Sequence, residues 1–501
     1  MVAYNYRQFM HNLYRFLASD LFYRSIIVVA ALSALWIALT ARYPMAFDED
    51  FHLGLIRLYA EHPSPFWASH PAGGDAFGAV ARDPSYLFHW LMSFPYRLFS
   101  MFTDNETIRI LLLRFLNIGL FISCLPLFKR LLIRAGASLA LSHGILALFV
   151  LIPIVPMVAG QINYDNLLLP VTALFLIKAL ALRDADATVR GPLLIQLLGL
   201  GIFGSLIKFA FLPILVAVML WSIWTMRRDW PLRNKYFKSL GTYIKTTAGI
   251  LTVLALLVLG SLAIERYGVN LVRYGDPIPS CGMVLPLENC QAYGPYYRDY
   301  LLAEKRTNFD TSAVFFVQEW FYGMWLRTYF AVDGPTTGFQ TRGPLAVPAI
   351  TAIVGVLLIT VALFCYGRRT YRAHPAAVSL FGFVSLAYLA AVFMQQFKAY
   401  MHTGVPVALN GRYLLLVIIP IIFLAAIATG FLVRNNRIAK TVLLTSVIVL
   451  TAYGGAAMTY VLRSNDAWYW NNSAVRSINH GVKDYIGPLI LTSNEPNLFL
   501  R

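Results

Sequence analysis

The chain has 501 residues, of which 58% are hydrophobic and only 13% charged, and its mean hydropathy is +0.62. A water-soluble surface cannot disperse that much apolar side chain, so the composition excludes a soluble globular domain and indicates an all-α polytopic membrane protein. The formal net charge of +17 lies between apolar runs and reports topology, not a nucleic-acid partner.

Taken in chain order, about eleven runs are long and apolar enough to be membrane spans. They fall near 22–41, 108–128, 137–158, 167–182, 193–207, 209–225, 247–264, 346–365, 375–394, 413–432 and 441–462. With a cytoplasmic N-terminus, the basic groups Arg7, Arg15 and Arg24, then Lys129, Arg130 and Arg134, then Lys178, Arg183 and Arg190 all fall inside. So do Arg227, Arg228, Arg233, Lys235, Lys238 and Lys245, then Arg368, Arg369 and Arg372, then Arg434, Arg437 and Lys440. Only Asp20, Asp184, Asp186 and Asp229 oppose them on that side, so the excess charge is essentially all cytoplasmic. The loops 43–107 and 265–345 and the tail 463–501 are then external, and residues 1–462 form one integral membrane domain. No cleavable signal is evident, since polar residues precede the first apolar run.

The first external loop opens with Asp48, Glu49, Asp50 and His52 immediately after span 1. Carboxylates at a bilayer edge cost several kcal/mol unless paired or hydrated, which makes them functional candidates. Asp48 is placed to cap an amphipathic helix with Phe51, Leu55, Leu58 and Tyr59 on its apolar face. His62 to Arg82 has no periodicity and reads as a mobile lid, after which Asp83-Pro84 opens a second interfacial helix. Arg109 and Arg114 lie near the outer end of span 2.

Further along, Gln161-Ile162-Asn163-Tyr164-Asp165-Asn166 occupies an outer turn. The stretch 193–225 is interrupted by Lys208 alone, and its basic flanks require an even number of crossings. Two half-spans of about 16 residues, each rising about 24 Å, fit that requirement, and broken helices point to a binding cavity. Cys281 and Cys290 lie in the second external loop, where an oxidising exterior would let them pair, whereas Cys124 and Cys365 fall within spans. Tyr296, Tyr297, Trp320, Tyr322 and Trp325 are candidates for stacking on sugars or for an interfacial aromatic belt. Asn410-Gly411-Arg412-Tyr413 opens a late span.

An apolar first span, an exposed Asp-Glu pair, two interfacial helices and a second span ending in Lys129-Arg130 resemble the GT-C glycosyltransferases. Within that superfamily the chain resembles the bacterial DUF2142 group, related to the protein mannosyltransferase and aminoarabinose transferase type. The matching pieces are Asp48-Glu49-x-x-His52, the 161–166 text, Lys208 between spans, and Asn410 to Tyr413. The resemblance implies a GT-C-like bundle in a bacterial plasma membrane. It also implies an enzyme that moves a sugar from a polyprenyl-phosphate carrier to a hydroxyl of a cell-envelope glycan, lipid or protein.

Such chemistry needs a base for the acceptor proton and cations for the departing phosphate. Asp48 is expected as base, with Glu49 or His52 orienting it, donating to substrate or holding a divalent metal, although no ligand set indicates one. Lys208 and Arg412 are expected at the phosphate, with Asp165 and Tyr413 also contacting substrate. The blander readings are capping for Asp48 and Glu49, interfacial polarity for His52, turn chemistry for Asp165 and snorkelling for the two cations. The rival functions are a polyprenyl-lipid flippase or transporter and a non-catalytic assembly subunit. The absence of evident internal repeats disfavours a transporter. No P-loop or dinucleotide fingerprint occurs.

Overall fold

The computed structural model describes residues 2–46, 48–227, 233–306, 312–329, 346–434 and 436–490. Among these residues the chain is helical, with no strand and one isolated bridge, Ala41 to Tyr469. Parts of the expected second external loop and of the C-terminal tail lie outside the described residues, as does Phe47.

The first half runs α1 (Val2–Leu17), α2 (Asp20–Thr40), α3 (Glu49–Glu61), α4 (Leu87–Ser100), α5 (Glu106–Arg134), α6 (Leu139–Leu151), α7 (Ile154–Ala159), α8 (Asp165–Asp184), α9 (Ala187–Ile207) and α10 (Leu212–Met226). It continues through α11 (Arg233–Tyr243), α12 (Thr247–Ala263) and α13 (Val269–Tyr274). Short helices follow: α14 (Cys281–Val284), α15 (Leu287–Gln291), α16 (Gly294–Glu304), α17 (Ala313–Phe321) and α18 (Arg327–Tyr329). The last are α19 (Ala346–Ala373), α20 (Pro375–Thr403), α21 (Leu415–Leu432), α22 (Arg437–Ala452), α23 (Met458–Arg463) and α24 (Ser473–Ile490). Local chemistry sets several starts: Ser19 accepts from the Phe22 amide at α2, and Asn105 from the Ile108 amide at α5. Glu106 in the first turn of α5 and Arg134 in its last complement the helix dipole.

Nine of the described helical segments are long and apolar enough to cross a membrane. The difference from eleven lies in two runs that break. Pro153 and Pro156 divide 137–158 into α6 and α7, and the turn at Gly454-Gly455 divides 441–462 into α22 and α23. The two breaks face each other, because the Ala456 amide donates to the Leu151 carbonyl at 2.7 Å. Backbone freed in an apolar setting is thereby satisfied. A side chain at Gly455 would stand 2.5 Å from that same carbonyl, so the close approach requires glycine.

Lys208 does interrupt 193–225, in extended backbone between α9 and a short 3-10 turn, Phe209–Phe211. The expected pair of half-spans is only half observed. α9 has 21 residues, about 31 Å, and α10 has 15, about 22 Å. The helix expected to end near 264 instead continues through a π-turn, Ile264–Gly268, into α13.

The centre of the bundle lies at α8 and α21, whose spans are 72% and 61% enclosed, against 6% for the span containing α12. α8 packs on α5, α9, α10, α20 and α21. The end of the bundle where α2 finishes and α8 begins is closed by α3 and α4, which bury Leu53, Leu55, Ile56, Tyr59 and Phe88. The stretch 62–82, expected as a mobile lid, is fastened along its length. Trp90 donates to Pro63 O, Arg266 to Pro65 O and Ala81 O, Asn270 to Arg82 O, and Asn289 to Asp75. Asp83 folds back on the Ser85 amide at 2.8 Å, so α4 starts at Leu87 and not at Asp83-Pro84. Cys281 and Cys290 form a disulfide in the segment over this region.

Fully buried Arg114 joins the pieces. Its guanidinium grips Glu49 bidentately at 2.7 and 2.8 Å and donates to the carbonyls of Ala38 and Ala41, which end α2. Glu49 also accepts from the amides of Met45 and Ile162, so α2, α3, α5 and the turn before α8 share one ion pair. The tail completes it: Arg42 and Trp470 amides donate to Trp468 O and Thr40 O, and Trp470 lies over the Arg114 guanidinium. Replacing Arg114 by Met strands the Glu49 charge, with an expected loss of about 3–5 kcal/mol. This should appear as a large fall in the thermal midpoint of purified protein in detergent, and an unchanged midpoint would contradict the reading.

Candidate functional site

Four stretches far apart in sequence, 48–52, 165, 208 and 412–413, meet at one end of the bundle. Arg412 sits in a 3-10 turn, Gly411–Leu414, ahead of α21, where Asn410 accepts from the Arg412 amide at 2.9 Å. Gly411 is required there, since a Cβ would stand 2.5 Å from the Thr328 amide nitrogen. Buried Arg412 reaches Asp48 Oδ2 at 2.5 Å. Asp48 occupies the N-cap position of α3 in left-handed backbone, yet its side chain makes no capping bond. The expected cap is absent because the carboxylate is turned to Arg412 instead.

Lys208, 5% exposed in its side chain, donates to Asp165 Oδ1 at 2.8 Å. Asp165 begins α8, with its amide bonded to Asn163 Oδ1 at 2.9 Å. Two aromatic rings connect the ion pairs. The Lys208 ammonium lies 4.4 Å from the Tyr164 ring centre and 5.4 Å from that of Tyr413, and the Arg412 guanidinium is also 5.4 Å from Tyr413. Both cations thus gain cation–π contacts in addition to a carboxylate. Tyr164 also meets the His52 ring edge-on, with ring centres 4.5 Å apart.

His52 is buried, with Nδ1 2.9 Å from His89 Nε2 and Nε2 without a hydrogen-bond partner among the described residues. Burial pushes the His52 pKa well below the usual imidazole value, with His89, Arg412 and Lys208 adding to the effect. Burial also lowers His89, to about 3, against a smaller upward influence of the Ser85 backbone. The pair is therefore neutral at physiological pH, one ring donating to the other. Asp48 differs in kind: it is 54% exposed, and the charge of Arg412 holds its carboxyl below the usual range. Within this cluster Asp48 is the carboxylate that solvent or a ligand can reach.

Glu49 was expected to act beside Asp48. Its four acceptor contacts to Arg114, Met45 and Ile162 make it an anchor facing away from the cluster. The Asn-rich turn is likewise framework: buried Asn117 on α5 accepts from the Asn163 amide and from Asn166 Nδ2, which also donates to Val158 O. The aromatic side chains expected from the second external loop are partly engaged elsewhere. Trp320 donates to Gln396 at 2.7 Å and meets Phe393 edge-on, while Tyr293 instead reaches over to Phe51. Among the described residues no three His, Cys, Asp or Glu side chains form a metal-ligand group.

Arg114, His89 and Asn117 were not foreseen at the site. An Arg inside an apolar run is itself a signal, because it must find a buried partner; His89 and Asn117 carried no comparable mark. No family model matches the chain, and no curated protein matches it. Fold and site define it as an all-helical polytopic membrane protein with two carboxylate-paired cations at one end of the bundle.

The histidine pair has a pH consequence. Both rings bind a proton readily only when unfolded, near pH 6.5, so the unfolded state takes up more protons and stability falls as pH drops below that value. Each ring contributes up to about 1.4 kcal/mol per pH unit, continuing towards about pH 3 for His89. The thermal midpoint should decline between pH 7 and 4.5 in the wild type and decline less in the His52→Asn, His89→Asn double variant. Equal slopes would contradict the assignment.

Proposed function

We propose that this chain is a GT-C-type membrane glycosyltransferase that moves a sugar from a polyprenyl-phosphate carrier to a hydroxyl of a cell-envelope acceptor. The observation that carries the reading is the convergence of Arg412 and Lys208, over Tyr413 and Tyr164, next to the exposed carboxylate of Asp48. The GT-C resemblance supplies the reaction class, and the positive-inside distribution supports a cytoplasmic N-terminus, placing this end of the bundle at the outer face.

In this reading the donor phosphate enters between the two cations. Arg412 gives up Asp48 for the phosphate, gripping it as a fork, while Lys208 adds a point charge without leaving Asp165. Freed from Arg412, Asp48 loses the charge that lowered its pKa and becomes a stronger base. The acceptor hydroxyl transfers its proton to Asp48 as its oxygen attacks the anomeric carbon. The carbon–oxygen bond to phosphate breaks, and the electron pair leaves on polyprenyl phosphate, where the cations stabilise the added negative charge. One base suffices for such an inverting displacement. Glu49 and the His52–His89 pair act as positioning groups, holding the start of α3 and the face of Tyr164.

The test is polyprenyl-phosphate release by purified protein in nanodiscs, given a panel of polyprenyl-phosphate sugars and envelope acceptors. Asp48→Asn should lower release by about 10²–10⁴-fold with folding intact, and Lys208→Met should weaken donor binding. Release unaffected by Asp48→Asn would remove the base. Donor binding without cleavage by wild type would favour a flippase or assembly role.

A further inference from the structure

Away from the Arg412 cluster, a cavity of about 790 Å³ opens between α6, α19, α21 and α22. It follows α21 from Leu414 to Phe431, a depth of about 26 Å at the helical rise, close to a full hydrocarbon core. Its length is lined by aliphatic side chains such as Ile418, Ile421 and Ile422, and among the described residues no Asp or Glu lines it. Its polar groups are uneven. At the α22 end, farthest from Arg412, the walls include Arg437, Lys440 and His374.

These groups are built into the groove. The Arg437 guanidinium rests 3.9 Å from the Tyr14 ring centre, which keeps it beside the mouth. The Lys440 stem lies against Gly430, where an added Cβ would come within 3.1 Å of Lys440 Cε. The N-terminus of α22, capped by Asn436, adds the positive end of a 16-residue helix to the same place. An aliphatic trough of this size forfeits dispersion contacts when empty, and acyl chains are the apolar matter a bilayer supplies. Basic groups between transmembrane helices recognise phospholipid head groups.

We infer that this groove binds an anionic phospholipid, its acyl chains lying along α21 and its phosphate meeting Arg437 and Lys440. The site is separate from the proposed transferase chemistry and does not depend on it. With cations and, among the described residues, no acid at the mouth, it selects anionic over zwitterionic head groups. A polyprenyl chain entering from the Leu414 end is the competing occupant, and it would place its phosphate at the opposite end, by Arg412.

The full-length protein is incorporated into nanodiscs holding equal phosphatidylglycerol and phosphatidylcholine with added polyprenyl phosphate, then extracted, and its retained lipid is quantified by mass spectrometry. Wild type is expected to retain phosphatidylglycerol over phosphatidylcholine by about tenfold or more. The Arg437→Gln, Lys440→Met double variant should lose that preference, Lys440→Arg should keep it, and Ala425→Phe should lower retention of both lipids. Equal retention of the two lipids by wild type, which requires no variant to fold, would overturn the inference. So would an unchanged preference in the charge-neutral double variant, or polyprenyl phosphate as the retained lipid.

Discussion

The site depends on the buried Glu49–Arg114 pair. Both side chains are fully removed from solvent, a position that ionised groups hold only when every charge finds a partner. Here the partners are the frayed ends of the neighbouring elements: two carbonyls closing α2, an amide before α3 and an amide before α8. One ion pair therefore satisfies backbone that the chain's sharp turns leave open. It also fixes the angle at which α3 departs from α2, and that angle decides where the next residue back, Asp48, is held.

From that constraint the arrangement of charge follows. Asp48 in left-handed backbone has forgone its cap and reaches Arg412, while Lys208, at the interruption between α9 and α10, reaches Asp165 at the start of α8. Two carboxylates and two cations sit around the rings of Tyr164 and Tyr413. The pairs are unequal: the Lys208–Asp165 pair is enclosed, and the Asp48 carboxylate is open. An enclosed pair maintains a site, whereas an open one can exchange partners. In the proposed reaction that exchange couples donor binding to the release of the base.

Much of the fold was legible from hydropathy, because most spans are continuous apolar runs whose ends carry caps or basic residues. The two runs that break, 137–158 and 441–462, do so where prolines or paired glycines intervene, and the breaks persist because Leu151 and Ala456 satisfy each other across the bundle. That long-range compensation has no local signature. Lys208 and Arg412 stood out as cations in apolar surroundings, and Asp48 as an acid at a membrane edge. Glu49 looked equivalent to Asp48 in sequence, yet the two adjacent carboxylates point to different partners, Arg114 and Arg412. The fastening of 62–82 was hidden for a related reason: its anchors Arg266 and Asn270 come from a helix that outlasts its apolar run, and Asn289 from a short helix beyond it, all nearly two hundred or more residues later.

The central claim is that Asp48 occupies, on Arg412, the place of the donor's phosphate. Its most direct test is the affinity of the purified protein for polyprenyl phosphate, measured for wild type, Asp48→Asn and Arg412→Gln. Competition between carboxylate and phosphate predicts binding about three- to fivefold tighter in Asp48→Asn and strongly weakened in Arg412→Gln. Unchanged or weaker binding in Asp48→Asn would contradict the account, because a carboxylate that competes for the guanidinium cannot be removed without benefit to its rival.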